Sequence, residues 1–220
     1  WEFVNLYSKT RGCNRFHAVI RALDLLRERN EVVSRDVNVP FFPALLEWVN
    51  HESKLGNATL DAEVLNGNDG LVPIKTWSDA VNDSVKDIAH GVPPFPLVRE
   101  VLVEAAARAD CMVISQTPTD ALEREWTENQ IEGFVSAIAG QEMGTKTQHL
   151  DLAAKNKYAP AKILMIGDAP GDHNATKATG ALFFPITPGD EEASWKCLLD
   201  EGLENFFCGT FAGDYQQQLL

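Results

Sequence analysis

Basic residues are scarce in this 220-residue sequence: 19 Lys and Arg stand against 32 Asp and Glu, for a formal net charge of −13. Such an imbalance works against nucleic acid or an anionic membrane surface as a partner, because phosphate backbones reward Lys and Arg. It favours solubility. Long apolar runs are missing too. None approaches the roughly 20 residues that a bilayer-spanning helix requires. Cysteine is sparse. Cys13, Cys111, Cys197 and Cys208 lie far apart with no C-x-x-C pair. That spacing speaks against a disulfide framework or a zinc site and for reduced thiols in a reducing, cytoplasmic compartment. There is no internal repeat and no low-complexity tract.

What remains is an ordinary globular composition, 45% hydrophobic and 23% charged, of a length that suits one large domain or two small ones. The best boundary is Gly91-Val92-Pro93-Pro94-Phe95-Pro96, where the prolines stop a helix and stiffen the connection. Before it the pattern is helical. Phe16, Val19, Ile20, Leu23 and Leu26 recur at three- and four-residue steps, the mark of one buried helix face. Leu45, Leu46, Trp48 and Val49 predict a helix entered after Pro43, and Asn57 opens another. Trp77, Val81, Val85 and Ile88 form a further stripe. Trp1–Tyr7 reads as part of an amphipathic helix. Residues 1–92 are therefore expected to form an all-helical unit.

From 93 to 220 helix and strand alternate. Helices are predicted over Leu97–Arg108, Thr119–Glu125, Lys146–Asn156, Asp172–Thr179 and Glu191–Glu201. Strands are predicted over Cys111–Ser115, Gly133–Ile138, Ile163–Ile166 and Ala181–Ile186. This alternation predicts an α/β fold with a parallel sheet covered by helices.

Three segments of this half carry chemistry. Ile163-Leu164-Met165-Ile166-Gly167-Asp168-Ala169-Pro170-Gly171-Asp172 is an apolar strand running into a glycine, with two aspartates four residues apart. Open α/β folds bind ligands at the C-terminal edge of the sheet, and paired carboxylates there suit a hard cation such as Mg2+. The strand Cys111–Ile114 ends in Ser115-Gln116-Thr117-Pro118, where a hydroxyl and the backbone N–H groups after it can bind a phosphate oxygen. Lys146, in Gly144-Thr145-Lys146-Thr147-Gln148, can neutralise phosphate. Singly, the first two segments read equally as turns and Lys146 as a solvated surface residue.

Their order and spacing resemble motifs two, three and four of the haloacid dehalogenase superfamily, over about Phe95 to Pro188. The resemblance implies a Rossmann-like α/β core with an all-helical cap, and hydrolysis of a small phosphorylated substrate with Mg2+ as cofactor. It implies that Ser115 and Gln116 bind the transferring phosphoryl group and that Lys146 steadies the nucleophile and the phosphate. Asp168 and Asp172 would hold Mg2+. The family's first motif, Asp-x-Asp on the first strand, occurs nowhere in these 220 residues. Two expectations follow. Either a separate N-terminal segment of the protein carries the nucleophile, or the protein lacks it and binds phosphate without cleaving it. On the first expectation the sheet is missing a strand beside Ile163–Ile166.

Lys9, Arg11 and Arg15 cluster near the start of the helical half. The resemblance makes them candidates to grip the substrate's non-transferring part, since a guanidinium can hold a phosphate or carboxylate at two points. The alternative is surface pairing with Glu28, Glu31 or Asp36. Phosphomutase and phosphonatase reactions remain as rivals within the superfamily. A dehalogenase needs no metal, and the Asp168/Asp172 pair counts against it.

Overall fold

The computed structural model describes residues 1–88, 90–154 and 157–220. The chain divides into two units, Trp1–His90 and Gly91–Leu220.

In the first unit, α1 (Arg15–Glu28) starts where the Asn14 side chain accepts a hydrogen bond from the Phe16 N–H at 3.0 Å. That contact satisfies one of the amides that a helix start leaves unpaired. A single turn, α2 (Asn30–Val33), follows, and then α3 (Pro43–His51), with proline in the first turn where its missing N–H costs nothing. Next come α4 (Asn57–Leu65) and α5 (Val72–Ile88). Phe16, Leu45, Trp48, Leu60, Leu71 and Ile74 form the core, one residue or more from each long helix. The Phe16 and Trp48 rings meet edge-on at 4.8 Å. Among the described residues of this unit there is no strand. Trp1–Tyr7 does not form the expected α-helix. It is a π-helical stretch, Phe3–Tyr7, whose only buried residue, Val4, packs with Ala18 and Ala22 of α1.

The second unit alternates. Its elements are α6 (Val98–Ala106), β1 (Met112–Ile114), α7 (Thr119–Glu128), β2 (Ala137–Ala139), α8 (Lys146–Ala154), β3 (Leu164–Gly167), α9 (Pro170–Thr179) and β4 (Leu182–Pro185). Three helices close the chain: α10 (Glu191–Cys197), α11 (Leu203–Cys208) and α12 (Asp214–Leu219). The fold is α/β with parallel strands. The strands form two pairs, β1 with β2 and β3 with β4, and among the described residues each strand has one strand neighbour. The two pairs belong to one packed unit, because Ile114 of β1 packs against the cluster of Leu150, Met165, Ala175 and Phe183.

Side chains alternate across β3 and β4 as pleating demands. Leu182 and Phe184 enter a core with Val101, Leu198, Leu203, Phe206 and Phe211, and Leu164 and Ile166 pack against it. Met165 and Phe183 face the opposite way, into the cluster beneath α8 and α9.

Two expected elements need correction. The Gly133–Ile138 strand begins later, at Ala137, because Glu132–Phe134 forms a 3-10 turn. Ser136 then starts the register by donating from its N–H and its hydroxyl to the Cys111 carbonyl, at 2.8 and 2.9 Å. The Glu191–Glu201 helix is interrupted by a π-helical stretch, Leu198–Gly202. Leu198 and Leu203 are both buried. Five residues apart, they fall off one face of an α-helix, and the wider π turn returns both to the core. The Lys146 helix is described to Ala154, and Lys155 and Asn156 lie outside the described residues.

Candidate active site at the C-terminal strand edge

The segments that leave β1 and β3 hold Ser115, Gln116, Asp168 and Asp172, four of the expected site residues. Ser115 extends the first ladder by donating its N–H to the Ala139 carbonyl at 2.9 Å. Its hydroxyl oxygen accepts the Thr117 N–H at 3.1 Å, a local turn that bends the chain away from the strand. The Gln116 amide reaches across to the Gly144 carbonyl at 3.5 Å, tying this loop to the start of α8.

Helix α8 opens with a reciprocal cap. Thr145 Oγ1 accepts the Gln148 N–H at 3.2 Å, and Gln148 Oε1 accepts the Thr145 N–H at 2.9 Å. This is a Thr-x-x-Gln capping box, and it fixes Lys146 as the first residue of the helix. From there Lys146 Nζ reaches Asp172 Oδ1 at 2.5 Å. The side chains are 17% and 4% exposed, so this ion pair is sheltered from solvent screening.

Asp172 lies in the first turn of α9. Its second oxygen, Oδ2, accepts the Ala169 N–H at 3.1 Å, again closing a helix start. The carboxylate is pressed against the end of β3: a Cβ on Gly167 would lie 2.6 Å from Asp172 Cγ. Only glycine leaves room there, which accounts for the Gly in Gly-Asp-x-x-x-Asp. Asp168, the next residue, is exposed at the strand's end.

Of the residues expected to act together, the structure brings Lys146 and Asp172 into contact and links the Ser115–Gln116 loop to the α8 start. It also distinguishes the two aspartates. Asp172 is buried, with Lys146 Nζ and the Ala169 N–H on its two oxygens, and Asp168 is exposed at the strand end. Mg2+ keeps several waters and takes one or two protein carboxylates together with substrate phosphate oxygens. Asp168 fits a direct ligand, with Asp172 behind it holding Lys146. Among the described residues no three His, Cys, Asp or Glu side chains cluster closely enough to hold a metal alone.

Of the basic trio in the first unit, Arg11 is half-buried. Lys9 is exposed. Arg15 turns into the helical unit, where Nη1 donates to Asn82 Oδ1 at 2.5 Å and to the fully buried Ser78 hydroxyl at 3.5 Å. The Ser78 hydroxyl in turn donates a hydrogen bond to Asn57 Oδ1 at 2.7 Å. Burial lowers the guanidinium pKa of Arg15 from its ordinary value. The expected pairing with Glu28, Glu31 or Asp36 is not what holds it.

Sequence reading passed over Gln148 and His149. The first was detectable, since Thr145-x-x-Gln148 is a helix-start signature. His149, a lone histidine inside a helix, gives no such signal.

A comparison with protein families matches residues 52–186 to the haloacid dehalogenase-like hydrolases, more than half of the chain. The matched span contains Ser115, Lys146, Asp168 and Asp172 and leaves out Lys9, Arg11 and Arg15. Searches of characterised proteins and of solved structures give no match. No described helix is long and apolar enough to cross a membrane, and all four cysteines are free thiols. With an α/β core, a sheltered lysine–aspartate pair and a strand-Gly-Asp-x-x-x-Asp edge inside the matched span, the chain belongs to the haloacid dehalogenase-like hydrolase family.

Proposed function

We propose that the protein is a Mg2+-dependent phosphohydrolase acting on a small phosphorylated metabolite. The Lys146–Asp172 pair carries this reading. It holds an ammonium, sheltered from water, beside the strand end that presents Asp168. Phosphoryl transfer needs positioning and charge neutralisation more than covalent help. Lys146 supplies a positive charge for the phosphoryl oxygens, and Asp172 holds it at the strand end. The Ser115 hydroxyl and Gln116 amide are the donors of the neighbouring loop. Asp168 holds the metal, whose chemistry when bound is neutralisation of phosphate charge.

In this scheme the attacking group is a carboxylate, and an aspartyl-phosphate forms and is hydrolysed by water. The sequence has no Asp-x-Asp, and the scheme requires a nucleophilic carboxylate that this motif does not supply here. Among the described residues the β1–β2 and β3–β4 pairs are separate, so a strand that carried such a carboxylate between them would find a partner on each side. The four free thiols suit a reducing, cytoplasmic setting.

The test is a screen of phosphate monoesters with the full-length gene product, with Mg2+ and with chelator. Hydrolysis that chelator abolishes is expected. Lys146→Ala should slow it about ten- to a hundredfold, since a lost charge-assisted contact costs about 1.5–3 kcal/mol. A full-length protein that binds inorganic phosphate but hydrolyses no ester would favour the non-catalytic alternative, as the missing Asp-x-Asp allows.

A further inference from the structure

The Gly144 carbonyl is the point from which Lys146 is aimed. Gly144 is buried, with φ 135° and ψ −164°, a conformation essentially reserved for glycine. It stands two residues before Lys146. A buried carbonyl must be hydrogen-bonded, and this one has two partners. Gln116 Nε2, from the Ser115 loop, lies at 3.5 Å. His149 Nε2 lies at 3.1 Å. The imidazole is itself 4% exposed. A carbonyl oxygen only accepts, so the ring atom facing it must carry a hydrogen.

We propose that His149 is a positioning residue for Lys146. Its Nε2–H holds the Gly144 carbonyl, fixes the turn into α8, and so keeps the lysine on Asp172. The role rests on the phosphohydrolase reading only for its catalytic consequence. The geometric part stands without it. Four pairs of residues then form a chain. Gln116 and His149 meet on Gly144, the Thr145–Gln148 cap closes the turn in which Gly144 leads to Lys146, and Lys146 closes on Asp172. The loop after β1 and the loop after β3 are thereby held together through the first turn of α8.

The experiment begins with the unsubstituted chain. Long-range 1H–15N NMR of the histidine rings should show His149 with its hydrogen on Nε2, and an Nδ1–H tautomer overturns the proposal. Two variants follow. His149→Met fills the space without a donor, and His149→Gln keeps an N–H at similar reach. The readout is the rate at which acetic anhydride labels Lys146, measured by peptide mass spectrometry, with Lys9 as an internal reference. In His149→Met, Lys146 labelling should rise roughly five- to tenfold, the factor that one lost hydrogen bond allows. In His149→Gln it should return to within about twofold of the unsubstituted chain. Unchanged labelling in His149→Met, or an equal rise in both variants, overturns the proposal. If His149→Met does not fold, the tautomer and His149→Gln still decide it.

None of these arms needs a substrate, so they remain decisive even if the full-length protein hydrolyses no phosphate ester. Where it does, His149→Met should lower kcat by about the labelling factor and His149→Gln should restore it. An unchanged kcat beside a loosened Lys146 refutes the catalytic part.

Discussion

Arg15 in the helical unit and Lys146 in the α/β unit are both partly buried among polar groups, and the two are held differently. Arg15 of the helical unit faces neutral partners, Asn82 and the buried Ser78, within a network that continues to Asn57, Asp79, Lys75 and Asp61. Apart from the Lys75–Asp79 pair within α5, the links run between helices, and the network knits α1, α4 and α5. Lys146 of the α/β unit faces a single, almost fully buried carboxylate at the meeting of a strand end and two helix starts. The first arrangement spreads one charge over a framework. The second concentrates opposite charges where an open α/β fold binds ligands. Charge count and local sequence do not separate the two cases. Partner and position do.

The strongest challenge to this contrast is Asp172→Asn. It leaves the Lys146 charge sheltered and unpaired, and breaking such a pair costs about 3–5 kcal/mol. The low end is expected, because Lys146 is 17% exposed and can recruit water. Urea unfolding followed by amide exchange should show the loss within residues 91–220, and a cost near zero would mean that the pair holds nothing.

Arg15→Met should cost less, about 1.5–3 kcal/mol for hydrogen bonds made by a charged group. It should loosen the amides of α1 and α5 and leave ester hydrolysis by the full-length protein unchanged. A variant that folds normally but loses substrate affinity would return Arg15 to the substrate-gripping role that its neighbours in sequence suggest.

The smallest effect is the pH response of His173. Its ring stacks on Phe183 at 5.0 Å. Burial, then the nearby Lys177 charge, hold its pKa below the ordinary 6.5. The unfolded chain therefore takes up the proton more readily, and stability falls as pH drops through about 6.5 toward the folded value. Between about pH 7.5 and about pH 5.5, His173→Gln should lose less of its melting temperature than the unsubstituted protein. An equal or larger loss would show that the imidazole is not held neutral.

The strand-and-loop frame was legible in the sequence because its signals are local. An apolar run into Gly167-Asp168 reads as a strand end, and Pro43 and Asn57 mark helix starts. Alternation after Gly91 predicts parallel pairing. What was not legible depends on partners remote in sequence. Nothing local in Lys146 or Asp172 says that they meet across 26 positions, or that the meeting leaves Asp168 as the exposed carboxylate. Lys9, Arg11 and Arg15 looked like one cluster because sequence proximity hides direction. Arg15 sits inside α1 and turns toward α5, while Lys9 lies in the turn before it. The late start of β2 is set by Ser136 bonding to Cys111, 25 positions away. α11 and α12 carry helix patterns too short to stand out from their flanking glycines.

The central claim, that the β3 edge holds a metal beside a phosphate-neutralising lysine, is tested most directly by Asp168→Asn in the full-length protein. Turnover of an aryl phosphate is followed across Mg2+ concentrations from limiting to saturating. Asp168→Asn should fold as the unsubstituted protein does and lose most of its Mg2+-dependent turnover. Turnover at limiting Mg2+ equal to that of the unsubstituted protein would contradict the account.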